Sequence, residues 1–490
     1  MSNRALQCEV DRQNLGWVQT ASSVAARARE RVPAYRSFLE ARGVPDCDEF
    51  AQLPITDKAS YLIPSPYTEL LADDHQETFT ILRSSGASGC SFFWPQLKAD
   101  YRWSAQRLRG FLEYTFKIHE RKTVAIVALA LGSWVGGDYY SWSLKNVALE
   151  AHYPFAVISP GNRHNEVIEV LQQALSFVDQ FLVVICPSNI GHLLLLAEST
   201  GHHLPLGKMR FLVVGEAFPE ALRGSLCRRA GLRCGEPFML SLYGSADTGA
   251  LGVESPASVA LRQLLVENPE LAEEFGLGPV VPHFFHFTAT DAYIETVDGE
   301  LCVTRWQGIP VVRYNLHDSA RLLAWEPLRQ AIVASARRES LNADLLRVLH
   351  DAPTMPDLIA ISGRADSCIV LGGTKLTEAM LEEAVRCPQL SDVLTGAYRA
   401  SLWFEQGRPI LAMDLEFRQG VIPEAPVLQR AYHALIQALG RVQPEFATDW
   451  QEIYRIWDDD SARRVLRLRG LLWPALSEEA EQLIKKRKLQ

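Results

Sequence analysis

The chain predicts an α/β fold: a large N-terminal domain of helices packed on mixed, largely parallel sheets, a β-rich subdomain, and a small α+β C-terminal domain. Three observations carry this expectation. From residue 100 to 250, helical periodicity alternates with short apolar strands every roughly 20–30 residues, the pattern of helices laid on a parallel sheet. From 280 to 325 the pattern turns to strands that alternate around Asp298-Gly299, a hairpin signal. From Gly363 onward strand and helix signals restart in a unit of about 125 residues, enough for a small domain.

In chain order, Leu15, Val18, Ala21, Val24, Ala25, Ala28 and Val32 recur at three- and four-residue steps, so 14–43 reads as helical. Pro33 breaks it into two helices, the second ended by Gly43. In Leu53-Pro54-Ile55-Thr56-Asp57-Lys58, Thr56 or Asp57 can cap a short helix. Helices are expected over 99–116, from Gly136-Gly137, over 166–178 and over 191–199. Strands are expected over 123–131, 151–158, 181–186 and 209–214. Ligands bind beyond the carboxyl ends of such strands. Two segments fall there, Val213-Val214-Gly215-Glu216 and Ser241-Leu242-Tyr243-Gly244-Ser245-Ala246-Asp247. Residues 326–356 read as a helical insertion. The last unit reads as a strand (367–371), Gly372-Gly373, a helix (377–386), strands around 393–417, a helix (428–440) and a final strand (452–457).

Between Thr80-Ile81-Leu82 and Phe92-Phe93-Trp94 lies a turn with Gly86 and Gly89 among Ser84, Ser85, Ser88 and Ser91. Glycines admit positive φ and close approach, and successive N–H groups with serine hydroxyls form a concavity suited to anions. A phosphate cradle and a plain polar hairpin turn are both open on this segment alone. It lacks the G-K-[ST] of a Walker loop and the G-x-G-x-x-G of a dinucleotide fold.

At 490 residues, two or more domains are expected. The formal charge of −9 argues against a nucleic-acid binder, which needs a basic face. Nine dispersed cysteines without a C-x-x-C pair argue for reduced thiols rather than a disulfide or zinc framework. With no signal-like start and no apolar run of spanning length, the chain reads as cytoplasmic, without membrane or nucleic-acid partners.

Four segments in register carry a resemblance: S-S-G-A-S-G at 84–89, Y-G-S-A-D at 243–247, R-Y-N-L-H-D at 313–318, and G-R-A-D at 363–366 followed by Gly372-Gly373. Their order and spacing resemble the adenylate-forming superfamily of acyl-CoA synthetases, luciferases and peptide-synthetase adenylation domains. Arg31-Val32-Pro33-Ala34-Tyr35 and Leu53-Pro54-Ile55-Thr56-Asp57-Lys58 are similar to the phenylacetate–CoA ligase branch. The resemblance covers nearly the whole chain. It implies domains over 1–362 and 363–490, the small one a mobile lid hinged near Arg364 and Asp366. It implies ATP and Mg2+, with Ser84, Ser85, Gly86, Ser88 and Gly89 on the β- and γ-phosphates. Gly215, Glu216, Tyr243 and Gly244 would form an adenine slot, Ser245 reach the α-phosphate, Asp318 hold the ribose hydroxyls and Asp247 the metal. Trp134, Gly136, Gly137 and Tyr139 fall where the branch binds its acid, and their aromatic content suggests an aryl or bulky one; a core role is equally open.

Three departures stand out. Cys90-Ser91-Phe92 replaces the Pro and Lys usual in the loop. Asn315-Leu316-His317 replaces Arg/Lys-Thr-Gly before Asp318, which puts a titratable ring near the nucleotide. The C-terminal lysine that bridges carboxylate and α-phosphate has no counterpart, since 458–467 offers only arginines; the resemblance then implies Arg464 as the catalytic cation in its place, although Arg and Lys are not interchangeable there. Lys375, in the Gly372-Gly373-Thr374-Lys375 loop, falls on the thioester-forming face. The resemblance thus implies activation of a small carboxylic acid by ATP and transfer to coenzyme A, a carrier thiol or an amine in a biosynthetic pathway. An acyl-carrier protein, a downstream enzyme and a second copy in a homodimer are the expected partners. The rivals are a ligase that forms an amide without coenzyme A and a degenerate relative that binds AMP or an acyl metabolite.

Overall fold

The computed structural model describes residues 15–46, 49–72, 77–84, 92–173, 176–232, 235–278, 280–287, 292–335, 341–364 and 368–476. Helices Leu15–Arg31 and Pro33–Ala41 form where the periodicity predicts them. Pro33 takes the first position of the second helix, where its missing N–H costs nothing. Asp57 rather than Thr56 caps the turn Lys58–Leu62, accepting from the Ser60 N–H at 2.6 Å. The Thr56 hydroxyl instead donates to the Val312 carbonyl at 2.7 Å.

β1 (Thr78–Arg83) and β2 (Phe93–Leu97) pair antiparallel, so the serine–glycine segment connects two strands as expected. One eleven-stranded sheet then dominates. Its parallel half runs β4 (Phe155–Ile158), β3 (Thr123–Ala128), β5 (Gln180–Ile185), β6 (Met209–Val213) and β7 (Met239–Ser245). Every residue of β3, β5 and β6 is buried, as a parallel sheet covered on both faces by helices requires. The sheet continues without a break into an antiparallel half, β8 (Gly249–Val253), β9 (His283–His286), β13 (Leu358–Arg364), β12 (Val311–Leu323), β11 (Glu300–Arg305) and β10 (Tyr293–Val297). The β-rich region is thus joined edge to edge to the parallel one. Asp298 and Gly299 both sit at positive φ (52° and 81°), as a two-residue hairpin of this hand needs.

β12 is a single strand of thirteen residues. Arg313 and His317 sit at positive φ (47° and 57°) within it, and its register with both neighbours shifts there and after Ser319. The insertion folds as helices Trp325–Val333 and Ala343–His350, whose Leu328, Ile332, Leu345 and Leu349 pack on helix Pro256–Glu267.

The C-terminal part has its own core, built on Leu411, Met413, Leu435, Leu439, Phe446 and Trp450. Hairpin β14 (Cys368–Leu371) and β15 (Thr374–Thr377) leads to β16 (Leu394–Glu405), antiparallel to β17 (Arg408–Phe417). The strand expected over 452–457 does not form. Residues 450–457 are helical turns, and the last strand is β18 (Leu466–Leu471), parallel to β17. Trp450, Ile453, Tyr454 and Trp457 recur at steps of three and four, and all four are buried on one face. That spacing outweighs the strand propensity of the same residues. Among the described residues no helix is long and apolar enough to cross a membrane.

Candidate active site

Beyond the carboxyl ends of β3, β5, β6 and β7 lies a cavity of about 530 Å³. Its lining joins residues from segments far apart in sequence: Ser84, Trp134, Gly136, Gly137, Tyr139, Gly215, Tyr243, Gly244, Ser245, Asp247, Asp318, Arg364 and Lys375. Ser85, Gly86, Ser88 and Gly89 of the loop, and Asp366 of the expected hinge, lie outside the described residues.

Asp318 and Arg364 face each other across β12 and β13. The Asp318 carboxylate accepts from the Tyr243 hydroxyl at 2.6 Å and from the Arg364 guanidinium at 3.4 Å. One face of the Tyr243 ring stacks on Phe285 with centroids 5.2 Å apart. Burial, then the Asp318 charge, pushes the Tyr243 phenol well above its usual range, so it stays a donor. Asp247 accepts from the Tyr314 hydroxyl at 2.8 Å, and its backbone carbonyl accepts from Gln307 at 2.6 Å. The Ser245 hydroxyl closes the local turn, within 2.9 Å of Thr248 Oγ1 and accepting from the N–H groups of Asp247 and Thr248. At Gly244 a Cβ would stand 2.3 Å from the Gly249 carbonyl, so β7 and β8 approach there only because the side chain is absent.

The N-terminal motifs are tied to this site through β12. Thr56 N–H donates to the Arg313 carbonyl at 3.2 Å, and Asn315 N–H donates to the Thr56 carbonyl at 2.8 Å. The buried Arg313 guanidinium donates to the carbonyls of Ala51 and Leu53 and pairs with Glu295 at 2.9 Å. His317 bridges two carboxylates, Asp57 at 3.3 Å and Glu300 at 3.1 Å. The His317 ring is therefore a cross-link between the N-terminal segment and the sheet.

Trp134 precedes helix Val135–Glu150, whose first turn opens on the cavity. A Cβ on Gly136 meets only ordinary contact, whereas one on Gly137 would stand 1.9 Å from the Ala130 carbonyl. Gly137 is thus a packing requirement between helix and strand end as well as part of the wall. Gly137→Ala is expected to destabilise the protein by about 2–3 kcal/mol, since overpacking against backbone cannot relax by a rotamer change; Gly136→Ala is expected to be near neutral. Denaturant midpoints of the pair check this, and equal midpoints would refute it.

The C-terminal part closes one side of the cavity. Gly373, at φ 92°, brings its Cα close to Gly215, at φ 94°, with the Cys186 thiol against both. The Glu216 carboxylate does not line the cavity. It turns into this seam, where it accepts from Ser188 N–H at 2.6 Å and Gly373 N–H at 3.3 Å. This corrects its expected place in an adenine slot, because two backbone donors converge on the seam side. Asp449 crosses the same seam, accepting from Asn162 at 3.1 Å and Thr374 at 2.7 Å. Burial pushes Glu216 up to about 7, against the pull of the Ser188 and Gly373 hydrogen bonds.

A carboxyl raised in the folded state adds stability that is present below its unfolded value near 4.5 and is lost as pH rises to about 7. Glu216→Gln removes the titration. Its stability relative to the native protein should therefore climb by about 3 kcal/mol between pH 4.5 and 7.5. Urea unfolding of both proteins across that range is the check; a difference independent of pH would rule it out.

Arg464 does not reach the cavity. Its guanidinium donates to the Asp458 carbonyl at 2.6 Å and to Gln429 at 3.0 Å, and lies 4.1 Å over the Tyr432 ring. Lys375 does line the cavity. Two further cations do so without having been singled out from the sequence. Lys58 donates to Ser84 Oγ at 3.4 Å, and Arg83 lies with Cζ 3.9 Å over the Trp134 ring. The signal for both was their place beside motifs already noted.

No family model and no curated protein sequence matches the chain. Solved structures do. 2-Hydroxyisobutyryl-CoA ligase in complex with 2-HIB-AMP and CoA, in the thioesterification state, superposes with a TM-score of 0.63 at 13% identity, over 94% of this chain and 87% of that one. The same ligase in the postadenylation state gives 0.50 at 12% identity, over 94% and 86%. An open conformation of it gives 0.50 at 13%, over 93% and 87%. Likeness along nearly the whole of both chains establishes the architecture: this chain has the fold of that CoA ligase.

Proposed function

We propose that the chain is an adenylate-forming ligase of the phenylacetate–CoA ligase-like branch. It would activate a small carboxylic acid with ATP and pass the acyl group to a thiol, coenzyme A or a carrier, or to an amine. The observation that carries this is that one cavity collects Asp318 and Tyr243, Asp247 and Ser245, the end of the serine–glycine connection at Ser84, and the aromatic wall at Trp134 and Tyr139. Asp318 would accept from both ribose hydroxyls and Tyr243 would lie along the base. Ser85, Gly86, Ser88 and Gly89 would continue the phosphate cradle from Ser84. The wall would take an aryl or otherwise bulky acid.

Asp247 has one carboxylate oxygen on Tyr314 and can offer the other to a cation. Among the described residues no group of three or more His, Cys, Asp or Glu is placed to hold a metal. A magnesium ion held chiefly by substrate phosphates needs one such carboxylate, so the residues fit it; when bound it would neutralise phosphate charge.

We take 1–362 as the large domain and 363–490 as a mobile lid hinged at Arg364 to Asp366, where Gly363 at φ 136° leaves the backbone free to turn. The higher TM-score against the thioesterification state supports reading the Gly372-Gly373-Thr374-Lys375 loop as the face used for acyl transfer to a thiol. A second reading, a relative that binds AMP or an acyl metabolite without catalysis, has one observation in its favour: Arg464 is engaged away from the cavity.

The test is the melting temperature with magnesium–ATP and with AMP, followed by pyrophosphate release with a panel of acids, with and without coenzyme A or an amine. A ligand specific to the native state raises the midpoint by mass action. A shift with pyrophosphate release supports the ligase, a shift without it the second reading, and no shift at millimolar nucleotide removes both.

A further inference from the structure

We infer that Arg83 supplies positive charge at the reacting carboxylate and α-phosphate, a place that Arg464 does not reach, which makes it a catalytic residue of the proposed adenylation. The inference rests on the ligase reading above.

Four observations converge on it. Arg83 is the last residue of β1 and directly precedes Ser84, so it is rooted at the base of the connection that would hold the phosphates. Its backbone N–H donates to the Ser133 carbonyl at 2.7 Å, which bridges it to Trp134, and its guanidinium carbon lies over that ring, 3.9 Å from the centroid. The side chain therefore lies between Ser84 and the Trp134 wall of the cavity, where the proposed function would bring the carboxylate of the acid against the nucleotide phosphates. Finally, it is uncommitted. Its buried Nε has no hydrogen-bond partner, and no ion pair joins it to a carboxylate among the described residues. The other cavity cations differ. Arg364 is paired with Asp318, Lys58 is drawn to Ser84, and Lys375 enters from the C-terminal loop.

Stacking on tryptophan fixes the plane of the guanidinium and is worth about 0.5–2 kcal/mol, so little ordering is left for the reaction. A planar fork of donors suits two oxygens at once, one from the carboxylate and one from the α-phosphate. In the step itself a carboxylate oxygen attacks Pα, the bond from Pα to the bridging oxygen of the β-phosphate breaks, and pyrophosphate leaves with that oxygen. The acyl-adenylate anhydride forms with no proton transferred, and Arg83 stays protonated throughout. It brings two anions together and stabilises the charge that builds at the five-coordinate phosphorus.

The test measures ATP–pyrophosphate exchange for the native protein, Arg83→Ala and Arg83→Lys with the acid found by the panel, alongside the AMP-induced melting shift of each. Arg83→Ala should lose about 10²–10³-fold in exchange rate and far less in the AMP-induced shift, as removal of a donor used mainly in the transition state does. Millimolar methylguanidinium should restore part of that loss, and Arg83→Lys should fall between. Exchange at the native rate in Arg83→Ala overturns the role, and so does a parallel loss of exchange and AMP shift without rescue, which would mark Arg83 as a clamp on Trp134. A native protein that neither shifts nor exchanges overturns the ligase reading itself, and this inference with it.

Discussion

Asp318→Ala is expected to remove most of the rise in melting temperature that the proposed nucleotide site would give with AMP or magnesium–ATP. Two hydrogen bonds from ribose hydroxyls to a carboxylate contribute about 1.5–3 kcal/mol each, so their loss weakens binding by at least about 10²-fold. The ligand-induced rise falls with the affinity, by RT ln of the same factor at saturating nucleotide. The variant also leaves the Tyr243 hydroxyl and the Arg364 guanidinium without their shared acceptor, so the free protein should lose about 1–3 kcal/mol of its own. The comparison to make is therefore the ligand-induced shift, not the absolute midpoint. Gly86→Val, at the loop position that sequence alone singles out, is expected to do the same by filling the cradle. Native affinity in either variant would remove that residue from the nucleotide site.

The second large effect lies away from the chemistry. Arg313→Met should destabilise the protein by about 3–5 kcal/mol, because it leaves the Glu295 carboxylate and the Ala51 and Leu53 carbonyls without their cation. Arg313 is 7% exposed, so water cannot take its place. The damage should be local first, with limited proteolysis cutting ahead of Ala72 at denaturant concentrations where the parallel sheet is intact. Unfolding free energy within 1 kcal/mol of the native protein would show that the latch contributes little.

These two residues also mark what can be read from a sequence and what cannot. Asp318, Tyr243, Ser245 and Asp247 stand in short segments whose composition is set by a loop or strand end, so they are visible without coordinates, and they do line one cavity. The parallel half of the sheet was equally legible, because its strands are continuous apolar runs such as Thr123–Ala128. Glu216 was misplaced because sequence adjacency to Gly215 says nothing of which side its carboxylate takes. That side is decided by Ser188 and by Gly373, one of them 157 residues away. The strand expected over 452–457 fails because aromatic and β-branched side chains favour strands in isolation, while here their spacing serves a helical face. Beyond its place beside the serine–glycine segment, nothing in the sequence sets Arg83 apart, since only its meeting with Trp134 does so.

The latch through Arg313 has a consequence for how the chain is made. One apolar core holds Ala21, Tyr35, Phe38, Tyr61 and Leu70 together with Val303, Val312, Tyr314 and Ile359. Leu53 and Arg313 are 260 residues apart. At about 5–20 residues per second on the ribosome, that distance corresponds to about 10–50 s. For that interval the first two helices have been synthesised while the other half of their core has not. The aromatic side chains of the N-terminal segment, Tyr35, Phe38 and Tyr61, must wait exposed or clustered on one another, as their edge-on contacts allow. Nascent chains stopped before residue 313 should therefore recruit chaperones through residues 15–72, and release them once β12 has emerged.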